Sequence, residues 1–95
     1  MADEAAVVYR VHAVRRMAER GISRAEVEQA IAQGETIESY PDDKPYPSRL
    51  VLANVKGRPL HVVVAWNAAD RESIVITVYE PDPTEWDEDF KRRKT

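Results

Sequence analysis

The sequence predicts an α+β fold in which an N-terminal helical hairpin packs on a three- to four-stranded antiparallel sheet, followed by a short C-terminal helix. Three observations support this prediction: helical spacing of apolar residues within 11–33, β-forming residues through 36–80, and a helix-capping pattern at the start of 82–93. The 95 residues are enough for one modest hydrophobic core, so a single domain over 1–95 is expected.

The helical hairpin is predicted from two amphipathic segments. In 11–20 the apolar residues fall on one arc at about 100° per residue. Gly21 ends this helix, and Ser23 with Glu26 forms a capping box for a second helix that ends near Gly34. The polar arc of the first helix carries His12, Arg15, Arg16, Glu19 and Arg20.

The sheet is predicted from strands at 36–40, 48–54, 58–66 and 73–80. The sequence Lys56-Gly57 allows two turns between the second and third of them. A two-residue turn places Leu52 beside His61, whereas a three-residue loop with a left-handed glycine pairs Asn54 with Arg58. The three-residue loop keeps the leucines on one face, and we therefore expect it.

This register divides the strand residues between two faces. The apolar face, expected to lie under the helices, comprises Leu50, Leu52, Leu60, Val62, Val64, Ile74, Ile76 and Val78. The reverse face is partly polar and carries Arg49, His61 and Tyr79. Three prolines stiffen the loop 41–47, which enters the sheet just before Arg49. This loop is expected to hold Lys44 and Tyr46 near the edge of the reverse face.

The tail is predicted to be a short helix over 82–93. Asp82 is a suitable N-cap, Pro83 suits the first helical position, and Glu85 completes a capping box. Trp86 and Phe90 lie one turn apart and are expected to anchor this helix in the core.

Composition excludes several classes of function. The formal charge of −3 argues against a broad nucleic-acid surface without excluding a local one. The chain has no cysteine and neither histidine has a metal-ligand spacing, so no metal or cofactor is expected. No apolar run approaches the ~18 residues of a membrane span, and the first residues lack a signal-peptide pattern. We therefore expect a cytoplasmic protein.

The polar residues suggest one reaction. Arginine can bind phosphate through two parallel hydrogen bonds, imidazole can transfer a proton, and a phenol can orient or donate. Arg49, His61 and Tyr79 on one face, with His12 as a further acid or base, could cleave RNA by using its own 2′-hydroxyl as nucleophile. An exposed face of mixed polarity without catalysis is the alternative.

Several segments resemble a small bacterial family of unknown function. They begin with the motif His-Ala-Val-Arg-Arg-Met-Ala-Glu-Arg-Gly-Ile from His12, and continue with the motif Tyr-Pro-Asp-Asp-Lys-Pro-Tyr-Pro-Ser-Arg-Leu from Tyr40 and Ile-Thr-Val-Tyr-Glu-Pro from Ile76. The family is more distantly similar to the BrnT, RelE and HigB toxin endoribonucleases, and its members resemble toxin partners of zinc-finger, helix-turn-helix antitoxins of the MqsA type. By position, the resemblance marks His12, Arg16, Glu19, Arg20, Arg49, His61 and Tyr79.

The expected function is therefore that of a toxin-like, metal-independent endoribonuclease whose partners are RNA and a cognate antitoxin. The expected catalytic residues are His61, Arg49, Tyr79 and His12. The expected substrate-binding residues are Arg16, Arg20, Lys44 and Tyr46. The alternative is a non-catalytic protein-interaction module that offers its sheet edge or its partly polar face to another protein. A metabolite-sensing domain would need a binding signature that the sequence lacks.

Overall fold

The computed structural model describes residues 6–94, which form two helices and a five-stranded mixed sheet. The elements in chain order are β1 (Ala6–Tyr9), α1 (Val11–Arg20), α2 (Arg24–Gln33), β2 (Glu35–Tyr40), β3 (Ser48–Val55), β4 (Arg58–Asn67) and β5 (Glu72–Tyr79). The strand order across the sheet is β1-β5-β4-β3-β2. Strand β1 runs parallel to β5, and the other neighbours are antiparallel.

The predicted architecture is wrong in its sheet and in the packing of its helices. The sheet is mixed because β1 precedes the helices and pairs in parallel with β5. At four residues, β1 is too short to be recognised from its sequence pattern. The helices do not form a hairpin laid on an antiparallel sheet: α1 packs on β5, whereas α2 packs on β3 and β4. Each helix buries its apolar side against the sheet, through Ala13 and Met17 in α1 and Val27 and Ala30 in α2.

The predicted limits of the two helices are confirmed. Gly21 follows α1 in the left-handed conformation with φ 64°. The hydroxyl of Ser23 accepts the Glu26 N–H at 3.1 Å, and the Glu26 carboxylate accepts the Ser23 N–H at 2.8 Å. These reciprocal bonds satisfy two of the free N–H groups at the start of α2, as the capping-box pattern predicts.

The predicted turn between β3 and β4 is wrong. Lys56 and Gly57 form a two-residue turn with φ 53° and 82°, which pairs Val55 with Arg58 and Leu52 with His61. A turn with two left-handed residues matches the twist of the adjoining strands better than the expected loop does. As a result every side chain of β3 lies on the face opposite to the predicted one.

The helix-covered face of the sheet follows from this register. It carries Val51, Ala53, Val55, Leu60, Val62, Val64, Val75 and Val78. The prediction is correct for β4 and for Val78, but Val75 replaces Ile74 and Ile76 because a bulge interrupts the β4–β5 register after Val63. No helix in residues 6–94 has the length and apolar character needed to cross a membrane.

The tail is a strap across the reverse face and not the predicted helix over 82–93. The C-terminal strap, residues 82–94, makes one turn at Asp82 and then folds back so that Trp86 bridges Arg93. Trp86 is only 2% exposed, as predicted for an anchor, whereas Phe90, the other predicted anchor, is only half-buried. A helix this short is marginal without tertiary contacts, so burial of the indole and the fold-back hydrogen bonds determine the conformation.

Gly34 provides a test of the packing between α2 and β3. A Cβ atom at Gly34 would lie 2.5 Å from the Ala30 carbonyl oxygen, 2.5 Å from Val51 Cγ1 and 2.8 Å from the Leu52 carbonyl oxygen. We expect Gly34→Ala to lower the free energy of unfolding in urea by about 1–3 kcal/mol, because two of these atoms belong to the backbone and cannot move aside cheaply.

Gly57→Asn is the matched control. Nothing lies within 4 Å of a Cβ atom at Gly57, and asparagine tolerates its left-handed conformation. The close packing of α2 on β3 would be refuted if both variants unfolded at the urea concentration of the parent protein.

Candidate functional site

A cavity of about 320 Å³ lies between α1, the end of β5 and the strap. We call it the edge pocket; its lining includes His12, Arg16, Arg20, Thr77, Tyr79, Glu80, Asp82, Glu85, Trp86 and Arg93. The spacing of four residues places the three α1 side chains in one row along the helix. Because β1 pairs only with the first half of β5, no strand within residues 6–94 lies on the outer side of the second half, and this row lies along that open edge.

Tyr79 connects the edge pocket with a buried histidine. His61 is 0% exposed and lies opposite Tyr79 in the β4–β5 pair. Its Nε2 is 2.8 Å from the Phe90 carbonyl oxygen, and its Nδ1 is 3.2 Å from the Tyr79 hydroxyl. A carbonyl can only accept, so Nε2 carries the proton and Nδ1 accepts the hydrogen bond from Tyr79.

The surroundings of His61 favour its neutral form. The ring of Trp86 meets the imidazole edge-on with centroids 4.4 Å apart and seals it from solvent. Burial lowers the pKa of His61 and raises the pKa of Tyr79. At neutral pH the imidazole is therefore an uncharged proton acceptor and the phenol keeps its proton.

The acidic groups around the edge pocket have partners of their own. Glu80 pairs with Arg58 at 3.5 Å, Glu85 pairs with Arg93 at 3.9 Å, and Asp82 accepts hydrogen bonds from Thr84. Arg93 also lies over the Trp86 ring at 4.8 Å.

Positive charge remains on the α1 side of the pocket. Arg16 makes only an exposed pair with Glu19 at 3.6 Å, an interaction worth little in water. Within residues 6–94 no carboxylate lies at ion-pair distance from Arg20. The row of α1 side chains is therefore able to bind an anion.

The structure brings some of the predicted site residues together and separates others. His12, Arg16, Arg20 and Tyr79 line the edge pocket, and His61 lies directly behind Tyr79. His61 has no exposed surface, so it reaches the pocket only through the phenol.

Arg49 does not share a face with His61 and Tyr79, and that prediction is wrong. Arg49 pairs with Val64 on the helix-covered side of the sheet and donates to the Thr36 hydroxyl at 2.9 Å. The cause is the two-residue turn, which reverses the facing of β3. Lys44 and Tyr46 lie on the loop 41–47, at the end of the strands opposite to Tyr79.

Sequence reasoning missed two parts of the edge pocket. Arg93 is the last residue of the predicted helix and Trp86 is one of its predicted anchors, yet both form the wall that the strap builds over His61. The tail sequence has a helix-start pattern, and no local signal reveals that it folds back.

The fold and site thus define a small strand-rich α+β protein with a pocket at a sheet edge that combines a cationic helix face with a wall of arginine and carboxylate side chains. Residues 9–80 match the model of a family described as a domain of unknown function (DUF4258), and the chain belongs to that family. The match includes α1, His61 and Tyr79, whereas the strap lies outside it. No curated protein and no solved structure matches the chain. The similarity to BrnT, RelE and HigB toxins therefore stays a prediction.

Burial of neutral His61 predicts a pH dependence of stability. The unfolded histidine titrates near 6.5, and the folded one has a lower pKa, so the unfolded chain binds more protons below pH 6.5. We expect the free energy of unfolding to be highest above this pH and to fall as the pH decreases below it.

The comparison variant for this prediction is His61→Gln, which cannot titrate. Its unfolding free energy should lose the part of the slope that lies just below pH 6.5. The slope at lower pH should persist, because it comes from Glu26 and Asp82, whose pKa values are lowered from 4.5 and 3.8 mainly by hydrogen bonds with Ser23 and Thr84. Equal slopes for parent and variant would contradict the burial of a neutral imidazole.

Proposed function

We propose that this protein is a metal-independent endoribonuclease of toxin type and that the edge pocket is its active site. The observation that supports the proposal is the arrangement of His12, Arg16 and Arg20 opposite a phenol that is hydrogen-bonded to a buried, neutral imidazole. Such a site combines anion-binding groups with two separate proton-transfer groups, as cleavage of a phosphodiester requires.

In this proposal the RNA supplies the nucleophile. The 2′-hydroxyl gives its proton to the Tyr79 oxygen while Tyr79 passes its own proton to Nδ1 of His61, and the 2′-oxygen bonds to phosphorus. The P–O5′ bond breaks as His12 gives a proton to the leaving oxygen. The products are a 2′,3′-cyclic phosphate and a free 5′-hydroxyl. Arg16 and Arg20 neutralise the phosphate oxygens during the step.

His61 acts as a positioning residue in this scheme. It holds the Tyr79 hydroxyl and receives the proton, but its burial prevents contact with RNA. The Phe90 carbonyl oxygen accepts a hydrogen bond from Nε2 of His61 at 2.8 Å and favours the imidazolium that forms. The strap therefore contributes to the site through a backbone atom as well as through Trp86 and Arg93.

A protein-interaction module is the second candidate, and the exposed edge of the sheet favours it. Within residues 6–94 the outer edge of β1 has no neighbouring strand, and Val8 of β1 is exposed, as are Val11 and Val14 of α1. Such an edge can accept a strand from another protein. For a toxin-type enzyme this partner would be its antitoxin.

Cleavage of single-stranded RNA in the presence of EDTA tests the proposed reaction. We expect Tyr79→Phe to lower kcat about 10²- to 10⁴-fold, because it removes one proton-transfer group without removing the ring. Product analysis should detect a 2′,3′-cyclic phosphate. The Tyr79→Phe protein, purified in parallel, also reveals any contaminating nuclease, since contamination would leave the rate unchanged.

The anion-binding row is tested by Arg20→Ala against Arg15→Ala. Both arginines lie on α1, but Arg15 does not line the edge pocket. Loss of a charge-assisted phosphate contact should reduce kcat/KM about 10- to 100-fold for Arg20→Ala, whereas Arg15→Ala should behave like the parent. Absence of metal-independent cleavage by the parent protein, or equal effects of the two substitutions, would overturn the proposal and favour the interaction module.

A further inference from the structure

A second cleft, of about 330 Å³, lies at the end of the sheet opposite to the edge pocket. We call it the tryptophan cleft; its lining includes Ser39, Pro47, Arg49, Val64, Trp66 and Ser73. Ser39, Arg49 and Val64 are consecutive neighbours across β2, β3 and β4 on the helix-covered side. A ten-residue helix is about 15 Å long and β4 about 33 Å, so the helices leave this end of the face uncovered.

Trp66 is the aromatic wall of the cleft. It lies two residues beyond Val64 on the same side of β4 and is 38% exposed, whereas Trp86 is 2% exposed. Within residues 6–94 no other ring stacks on it. The stiff loop fixes its backbone, since the Pro47 carbonyl oxygen accepts the Trp66 N–H at 3.0 Å. A rigid, uncovered indole in a concave surface is suited to stacking on a flat ring.

Arg49 is the cation of the same cleft. Its guanidinium donates to the Thr36 hydroxyl at 2.9 Å, and no carboxylate of residues 6–94 lies at ion-pair distance from it. Only one of its five N–H donors is used in this bond, although the residue is half-buried. A partly desolvated guanidinium without an acidic partner can bind the oxygens of an anion through a planar pair of donors.

We propose that the tryptophan cleft binds one nucleotide of single-stranded RNA, with its base stacked on Trp66 and its phosphate at Arg49. The choice of RNA rests on the proposed function. An aromatic face, an unpaired arginine and the hydroxyls of Ser39 and Ser73 match a base, a phosphate and a ribose. Ser73 and Tyr79 are six residues apart on β5, roughly 20 Å, so the cleft would bind the RNA several nucleotides from the scissile bond.

Binding of a 2′-O-methyl RNA decamer tests this inference without depending on cleavage, since the oligonucleotide has no free 2′-hydroxyl. The chain has two tryptophans, and only Trp66 is exposed enough to be quenched directly by a stacked base. We expect binding of the decamer to quench the fluorescence of Trp66. Because the variants Trp66→Ala and Trp66→Phe lack the Trp66 signal, their Kd is measured by the anisotropy of a dye-labelled decamer. Trp66→Ala should raise Kd between about 5-fold and about 150-fold, and Trp66→Phe should restore most of the affinity because it keeps an aromatic face.

Arg49→Gln should weaken binding and reduce the slope of log Kd against log salt concentration by about 0.7, the value for one phosphate contact with a single strand. Arg15→Ala is the control for a lost surface charge outside the cleft. Urea unfolding of each variant separates a binding effect from a loss of fold.

Two results would overturn the inference: an affinity of Trp66→Ala for the labelled decamer equal to that of the parent protein, or quenching of Trp66 in the parent protein by a carboxylate-bearing peptide but not by the oligonucleotide. Failure of this inference can be distinguished from failure of the proposed function. Oligonucleotide binding that depends on Trp66 in a protein that cleaves nothing refutes only the nuclease. Cleavage by the parent protein with no dependence of binding on Trp66 refutes only the cleft.

Discussion

The arrangement of this protein depends on the register between β3 and β4, which the two-residue turn at Lys56-Gly57 sets. Side chains alternate between the faces of a strand, so a slip of one residue would exchange the two faces of β3 completely. The observed register places Leu52 beside His61 and turns Arg49 toward the helix-covered side. The tryptophan cleft follows from this constraint, because the register brings Arg49 to the face that carries Trp66, whereas the register between β4 and β5 pairs His61 with Tyr79 at the other end of the sheet.

Arg58, the first residue of β4, joins this register to the helices. Its guanidinium donates to the carbonyl oxygens of Arg20 and Gly21 at 3.2 and 2.9 Å and contacts Glu26 and Glu80 at 3.3 and 3.5 Å. The half-buried guanidinium of Arg58 thus satisfies the carbonyls at the end of α1 and holds carboxylates from α2 and from the end of the sheet. Arg58 is three residues from His61 along β4 and also binds the end of α1. It therefore fixes the position of the cationic row on α1 relative to the strand that carries the buried imidazole.

The proposed functions agree with the charge of the chain. A formal charge of −3 does not favour nucleic acid over the whole surface, but binding of a single strand needs only local cations and aromatic faces. The edge pocket has positive charge along α1, whereas its acidic residues Glu80 and Glu85 pair with Arg58 and Arg93. The family model covers residues 9–80, so it includes both candidate sites except for the residues that the strap contributes.

The sequence by itself determined the two helices, their caps and the facing of β4, since each depends on residues close together in the chain. It also identified the polar arc of α1 that carries His12, Arg16 and Arg20, because helical spacing is local. Only the tertiary structure decided the parallel pairing of β1, the facing of β3 and the course of the strap. The reason is that each of these depends on contacts between distant segments: Ala6 with Glu72, Leu52 with His61, and Phe90 with His61. Burial of Trp86 and His61 outweighed the local preference of the tail for a helix.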